Sequence, residues 1–289
     1  MPERMRVTAP ASAANLGPGF DCLAVALELR NEVAIGPAQG GGVEVEVHGE
    51  GVRKASRGAD NLFVRAFAAA GADPAGLRFE MRNRIPFYRG LGSSAATISA
   101  GITAGLAWSG GESDPLPRAV ELEGHPDNVA AALLGGLTLA WTGASGPVAA
   151  RLEHEPPVDF VVAVPEDELP TRLAREALPE TIAHADAAYS AARAALLVAA
   201  LESGRAELLA EALDDRLHEP YREPFVPLLG AVRGRLDGLP VYGATISGAG
   251  PSVLVWCERG TADAVAEALA DVAPRVLPLA VAGAGVVVG

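Results

Sequence analysis

The sequence predicts an α+β fold in two parts, and three observations carry that reading. The first half holds short runs in which apolar and polar residues alternate, "MRVTAP", "VEVEVHGE" and "LRFEMRNRI", as in half-buried antiparallel strands. From Ser93 to Trp108 the chain is uncharged and rich in small and aliphatic residues, which fits a helix buried on most sides. Beyond residue 155 the segments read strand, long helix, second helix, two strands, helix, strand. That order suits an α+β sandwich of ferredoxin-like type with its helices kept to one side.

The other elements follow from local signals. "PLPRAVELEG" opens on proline and closes on glycine, as a short helix does, and "DNVAAALLGG" repeats the form with Asp127 or Asn128 near its start. Around "GASGPVAARLEHEPP" the hydrophobic pattern breaks into small residues and prolines, which places a crossing near residue 155 and domains at 1–155 and 156–289. "DFVVAVP" then reads as a strand, "TIAHADAAYSAARAALLVAALESG" and "RAELLAEALDD" as helices. "VYGATISG" and "SVLVWCE" are strands, and a helix from Thr261 to Val272 precedes "RVLPLAV".

Composition removes several classes of function. At 289 residues and 49% hydrophobic, the chain can bury a sizeable core. No apolar run reaches the ~18 residues of a membrane span, and "MPERMRVTAP" has no apolar leader core, so a cytoplasmic protein without membrane partners is expected. Cys22 and Cys257 make neither a disulfide framework nor a zinc site and are expected as buried thiols. A net charge of -13 with no basic block argues against nucleic acid. Lys54 is the one lysine among 23 basic residues, and it stands in "VRKAS" rather than before Ser or Thr after a glycine run. A Walker-type P-loop is therefore excluded.

"RIPFYRGLGSSAATISAG" carries the chemistry. Gly90, Gly92 and Ala95 have the spacing of a dinucleotide turn, but the strand before it alternates, and the prolines of "SDPLPRAVELEG" bar the inner strand such a fold needs next. Backbone N–H groups entering a helix at Ser93 and Ser94 suit a phosphate, with Arg89 as nearby positive charge. A serine-capped strand-to-helix turn remains the alternative. Two further glycine stretches, "PASAANLGPGFD" and "GATISGAGPSV", point to a site assembled from distant segments. Neither Ser93 nor Ser94 lies in the G-x-S-x-G of a serine hydrolase.

In that order the three stretches resemble the three motifs of the GHMP kinases, and "IPFYRGLGSSAA" is similar to their nucleotide loop. Within the superfamily, "PASAANLGPGFDCLAVAL", "ELEGHPDNVAAALLGG", "LPTRLAREALP" and "LHEPYR" resemble the homoserine kinases, and the likeness runs from Arg6 to Val255. It implies a GHMP kinase fold, with an N-terminal domain like the second domain of ribosomal protein S5 and a ferredoxin-like C-terminal one. It also implies ATP and Mg²⁺, L-homoserine as acceptor and a homodimer. The rivals are a kinase of a mevalonate-like or sugar alcohol, and a non-catalytic ligand-binding protein of the same fold.

The resemblance assigns residues too. Pro86, Phe87, Tyr88, Arg89, Gly90, Leu91, Gly92, Ser93, Ser94, Ala95 and Ala96 wrap the ATP phosphates, and Asn61 lies near the adenine. Ser94 and Glu121 hold Mg²⁺, with Glu123 the weaker candidate because it points to another helix face. Asn15, Asp21, His125, Arg175, Arg222 and Gly248 form the acceptor pocket. Asp21 suits an ammonium, and Arg175 and Arg222 suit a carboxylate. Asn128 stands where mevalonate kinase relatives have an aspartate, and an amide is no base near neutral pH. Asp127, about 100° away on the helix, is not expected to face the substrate together with Asn128. No dedicated base is predicted. Ser247 to Ser252 shape the site by packing against the first two loops, and Tyr88 stands where a small or aliphatic residue is expected.

Overall fold

A computed structural model describes residues 4–289, and counts of elements refer to that range. Residues 1–3, the start of the segment read for a leader, lie outside it. Strands β1 (Met5–Ala14) and β2 (Leu23–Pro37) form a long antiparallel pair, with β3 (Glu44–Gly49), helix α1 (Leu62–Ala69) and β4 (Leu77–Asn83) following. β4 pairs antiparallel with β2, as alternation suggested, but β3 pairs parallel with β4. The reason lies in the connection: α1 carries the chain back between the two strands, and a crossover of that kind makes neighbours parallel.

Helix α2 (Ser93–Ser109) is buried on most sides, as its composition predicted. Its Gly101 and Gly105 lie against α1; a Cβ on Gly105 would sit 2.4 Å from the Phe67 carbonyl oxygen. Helices α3 (Leu116–Glu123) and α4 (Asp127–Leu134) follow, then an antiparallel hairpin of β5 (Leu137–Gly143) and β6 (Gly146–Arg151). That hairpin replaces the irregular crossing read from "GASGPVAARLEHEPP"; its turn is Ala144–Ser145, and Gly146, at φ 121°, opens β6. β5 pairs with the start of β2, completing a sheet of seven strands.

The second sheet begins at β7 (Val158–Val164). Helices α5 (Thr171–Glu176), α6 (His184–Ser203), α7 (Leu209–Ala212), α8 (Glu219–Arg222) and α9 (Pro227–Arg233) lead to β8 (Val241–Ile246) and β9 (Val253–Glu258). Helix α10 (Ala262–Ala268) then leads to β10 (Arg275–Leu279). The strand order β10-β7-β9-β8, antiparallel throughout, is the ferredoxin-like arrangement expected from the element order.

Helices do not keep to one side of that sheet. Val161 and Ala163 of β7 pack with α9 and α10, whereas Phe160, Val162 and Val164 share a core with α6, α7 and the first sheet. Every side chain of β7 except Asp159 is therefore buried, and the core is continuous between the two sheets. The chain also departs from a simple division at one point: past β10 it returns to the first sheet, where β11 (Val287–Val288) pairs with β1. Among the described residues, no helix is long and apolar enough to cross a membrane.

Adding one methyl group at the α1–α2 contact tests how closely these helices must approach. Gly105→Ala gains about 1 kcal/mol of helix propensity but overpacks against backbone at a cost of about 1–3 kcal/mol. A net loss of up to about 2 kcal/mol is expected in urea unfolding.

Candidate active site

A cavity of about 380 Å³ opens where the three glycine loops meet. The backbone of the middle loop explains its sequence. Gly90 and Gly92 have φ of 67° and 64°, the left-handed region, and a Cβ on Gly90 would lie 2.1 Å from the Ser247 carbonyl oxygen. Gly92 caps α2, so neither serine caps the helix by its side chain. The first N–H groups of α2 have no helical acceptor and stand at the cavity, where they suit an anion. Tyr88 also has a positive φ, 55°, and its ring is exposed with Lys54 Nζ 5.6 Å from the centroid.

The third loop packs on the other two, as expected of residues 247–252. Ser247 Oγ donates to Gly90 O at 2.6 Å, Gly248 N donates to Ala14 O at 3.0 Å, and Asn15 Nδ2 donates to Gly248 O at 2.7 Å. Arg89 differs from expectation. Its guanidinium donates to the carbonyls of Phe87, Pro165 and Glu166 and to Glu168, so it ties the loop to the segment after β7 rather than standing free for a phosphate.

At the start of α2, Ser94 Oγ donates to Glu123 Oε1 at 2.6 Å. Glu121 is exposed and not part of the cavity wall, so the acid beside Ser94 is Glu123. Residues two apart on a helix diverge by about 200°, and α3 turns its Leu116–Ala119–Glu123 stripe inward. Burial pushes the Glu123 carboxyl up against the opposing effects of Ser94 and His125. His125 bridges two acids, with Nδ1 2.6 Å from Asp127 Oδ1 and Nε2 3.6 Å from Glu123 Oε1. Burial works against its charge, but the Asp127 hydrogen bond and both carboxylates prevail and hold the imidazole above its ordinary value.

Asp127 and Asn128 both line the cavity, contrary to expectation. They occupy the first turn of α4, whose N-terminus abuts the site, so their divergence leaves both beside it. Asp127 Oδ1 accepts the N–H of Asn128 at 2.7 Å, and Asn128 Oδ1 accepts Ser12 Oγ at 2.8 Å. That leaves the Asn128 amide N–H groups as donors.

The acceptor end holds a charged trio. Arg175 grips Asp21 through two bonds of 2.9 and 2.7 Å, both side chains about one-third exposed at 37% and 35%. Arg222 is 2% exposed and donates to three neutral acceptors, the carbonyls of Ala174 and Gly248 and His218 Nδ1, at 3.2–3.3 Å. Burial, helped by the charge of Arg175, pushes its guanidinium down to about 10.

The cavity thus gathers the expected residues apart from Glu121, Ala95 and Ala96; the two alanines are fully buried and support the loop from below. Asn61 lines it, but its side chain caps α1 at Phe63 N and donates to Ser56 O, so its own polar atoms serve the fold. Sequence reasoning missed three residues. Ser12 orients Asn128, His218 contacts Arg222, and the buried Asn83 presents an unpartnered Oδ1 in a residue of the cavity wall. Ser12 lies inside the first glycine stretch, where nothing in the sequence marks it out from its neighbours, and Asn83 is touched only by the alternation of β4, which carries no chemistry. The two thiols have no part here: burial pushes Cys22 up to about 11 and Cys257 up to about 12.

The chain matches the family model for the GHMP kinases N terminal domain over residues 59–136 and that for the GHMP kinases C terminal over 197–275. A homoserine kinase of Streptomyces coelicolor is 47% identical over 278 residues, covering 92% of this chain and 88% of that protein. One of Synechococcus is 44% identical over 277 residues, covering 92% and 90%. The crystal structure of homoserine kinase from Cytophaga hutchinsonii superposes with a TM-score of 0.89 at 27% identity, over 100% of this chain and 98% of that one. With its three glycine loops around one cavity, the chain belongs to the homoserine kinase family of the GHMP kinases.

Proposed function

We propose that the protein transfers the γ-phosphoryl group of ATP to the hydroxyl of L-homoserine, giving O-phospho-L-homoserine and ADP, a step of threonine biosynthesis. The observation that carries the acceptor is Arg222, a buried guanidinium that bonds only neutral groups in the same wall as the Asp21–Arg175 pair. A zwitterion meets both signs of charge there, whereas a sugar or a mevalonate-like acid does not.

Phosphoryl transfer is chiefly positioning and stabilisation of charge on phosphate oxygens. The N–H groups opening α2 receive the phosphates, Arg222 and Arg175 the acceptor carboxylate, and Asp21 its ammonium. Asn128, held through Ser12, donates to the acceptor oxygen and fixes its line of approach. Ser94 and Glu123 fit Mg²⁺: both are hard oxygen donors meeting at one point, and that ion takes one or two carboxylates with phosphate oxygens rather than an all-protein cage. When bound it offsets negative charge on the phosphates. In this reading the acceptor proton passes to the phosphate itself: Asn128 is no base, and Asp127 serves through Oδ1 to hold His125 and Asn128 N.

A panel of acceptors with ATP and Mg²⁺, read by ADP release, tests this. Turnover of homoserine and not of mevalonate or galactose is expected; turnover of mevalonate alone would sink it. Glu123→Gln should lower kcat by about 100-fold or more, as loss of a charge-stabilising group does, with Glu121→Gln within about twofold of the unaltered enzyme. Asp127→Asn should keep more than about a hundredth of kcat, since a lost general base costs about 100- to 10,000-fold.

A further inference from the structure

His218 is fully buried behind Arg222, and the reaction as described makes no use of it. Its surroundings fix its tautomer. Nε2 lies 2.8 Å from Gly17 O, which only accepts, so this nitrogen carries the proton. Nδ1 is then a lone pair, and it accepts Nη1 of Arg222 at 3.3 Å. Burial pushes the imidazole down to about 4, which keeps it neutral at physiological pH.

The ring is also held in place. Asp215 Oδ2 accepts the N–H groups of His218 and Glu219 at 2.8 and 2.9 Å. Its Oδ1 accepts Leu217 N and Ser190 Oγ at 2.9 and 3.0 Å. Phe20 stacks on the imidazole with centroids 5.2 Å apart, and the Arg222 guanidinium lies 5.1 Å from the same Phe20 ring. His218 thereby joins the first glycine loop, through Gly17, to the arginine at the acceptor end.

We propose that His218 is a positioning residue for acceptor specificity: as a neutral acceptor it aims Arg222 at the substrate carboxylate without consuming the guanidinium's charge. The inference rests on the reading of function above. A carboxylate at this position would hold Arg222 more tightly but neutralise it, and would compete with the substrate for it. An apolar residue would leave one of the guanidinium's buried donors unpaired and its direction loose. The other two acceptors of Arg222, the Ala174 and Gly248 carbonyls, are neutral too, so its positive charge is left for a ligand.

The test compares two acceptors, homoserine and 2-aminobutane-1,4-diol, the same molecule with its carboxylate reduced to a hydroxymethyl group. His218→Phe keeps the ring and its stacking but removes both hydrogen bonds. It should lower kcat/KM for homoserine about 10- to 100-fold, mainly through KM, with the diol changed no more than about twofold and KM for ATP unaltered. His218→Gln, which keeps an amide acceptor, should lose less on homoserine and nothing on the diol. In an Arg222→Met background His218→Phe should have no further effect on homoserine. Equal losses on both acceptors, or no loss on homoserine, would overturn the proposal. Melting temperatures establish that each variant is folded, and if the Phe variant is not, the Gln variant is judged by the same two-acceptor ratio. Absence of homoserine turnover by the unaltered protein would instead overturn the functional reading itself.

Discussion

The site depends on one close backbone contact, that of Gly90 with Ser247. The nucleotide loop enters α2 from the first sheet, while Ser247 leaves β8 of the second, and the two main chains touch where any Cβ would collide. Ser247 Oγ closes on the Gly90 carbonyl, and Gly248 bonds Ala14 and Asn15 of the first loop. The three loops thus make one wall, and the continuous core between the sheets holds that wall rigid. Binding geometry is set by backbone that cannot tolerate side chains, which is why the glycines in the three loops are not interchangeable with alanine.

An acidic protein that binds phosphates and a carboxylate must place its positive charge locally. With a net charge of -13, long-range attraction of ATP is not available. In the proposed reading the chain relies on helix N–H groups, which carry no titratable charge, and on Arg222, which bonds three neutral acceptors. Arg89, the cation nearest the loop in sequence, serves instead to fasten it. Proximity in sequence was a poor guide to electrostatic role; burial and bonding decide it.

Much of this was legible in the sequence. Glycine loops announce themselves because their backbone demands show in residue identity, and the second sheet followed from the order of its elements. The parallel β3–β4 pair was not legible, because alternation reports which faces are buried and not strand direction. Glu123 had a readable signal that residue type alone overlooked: it continues the apolar stripe of Leu116 and Ala119, whereas Glu121 does not. The joint presence of Asp127 and Asn128 was missed because a helix that ends on a cavity exposes a whole turn to it. His218 lies in the "LHEPYR" stretch, but its role had no local signal, since its partners lie at Gly17 and Arg222, and only the fold brings the first of these beside it.

On the proposed function, the Asp21–Arg175 pair would give the pocket its selectivity by exchange. At rest each charge satisfies the other through two bonds, so neither is desolvated without a partner. In that reading a zwitterionic acceptor would replace that pair with two new ones, its ammonium on Asp21 and its carboxylate on Arg175 and Arg222, and the count of unpaired charges would stay constant. A ligand with only a carboxylate would strand Asp21 wherever it draws Arg175 away, and one with only an ammonium would strand Arg175. The penalty is tempered because both side chains are about one-third exposed, at 37% and 35%. Arg222, at 2% exposure, has no such relief, so on the proposed function the carboxylate end of the acceptor would be the more stringently read.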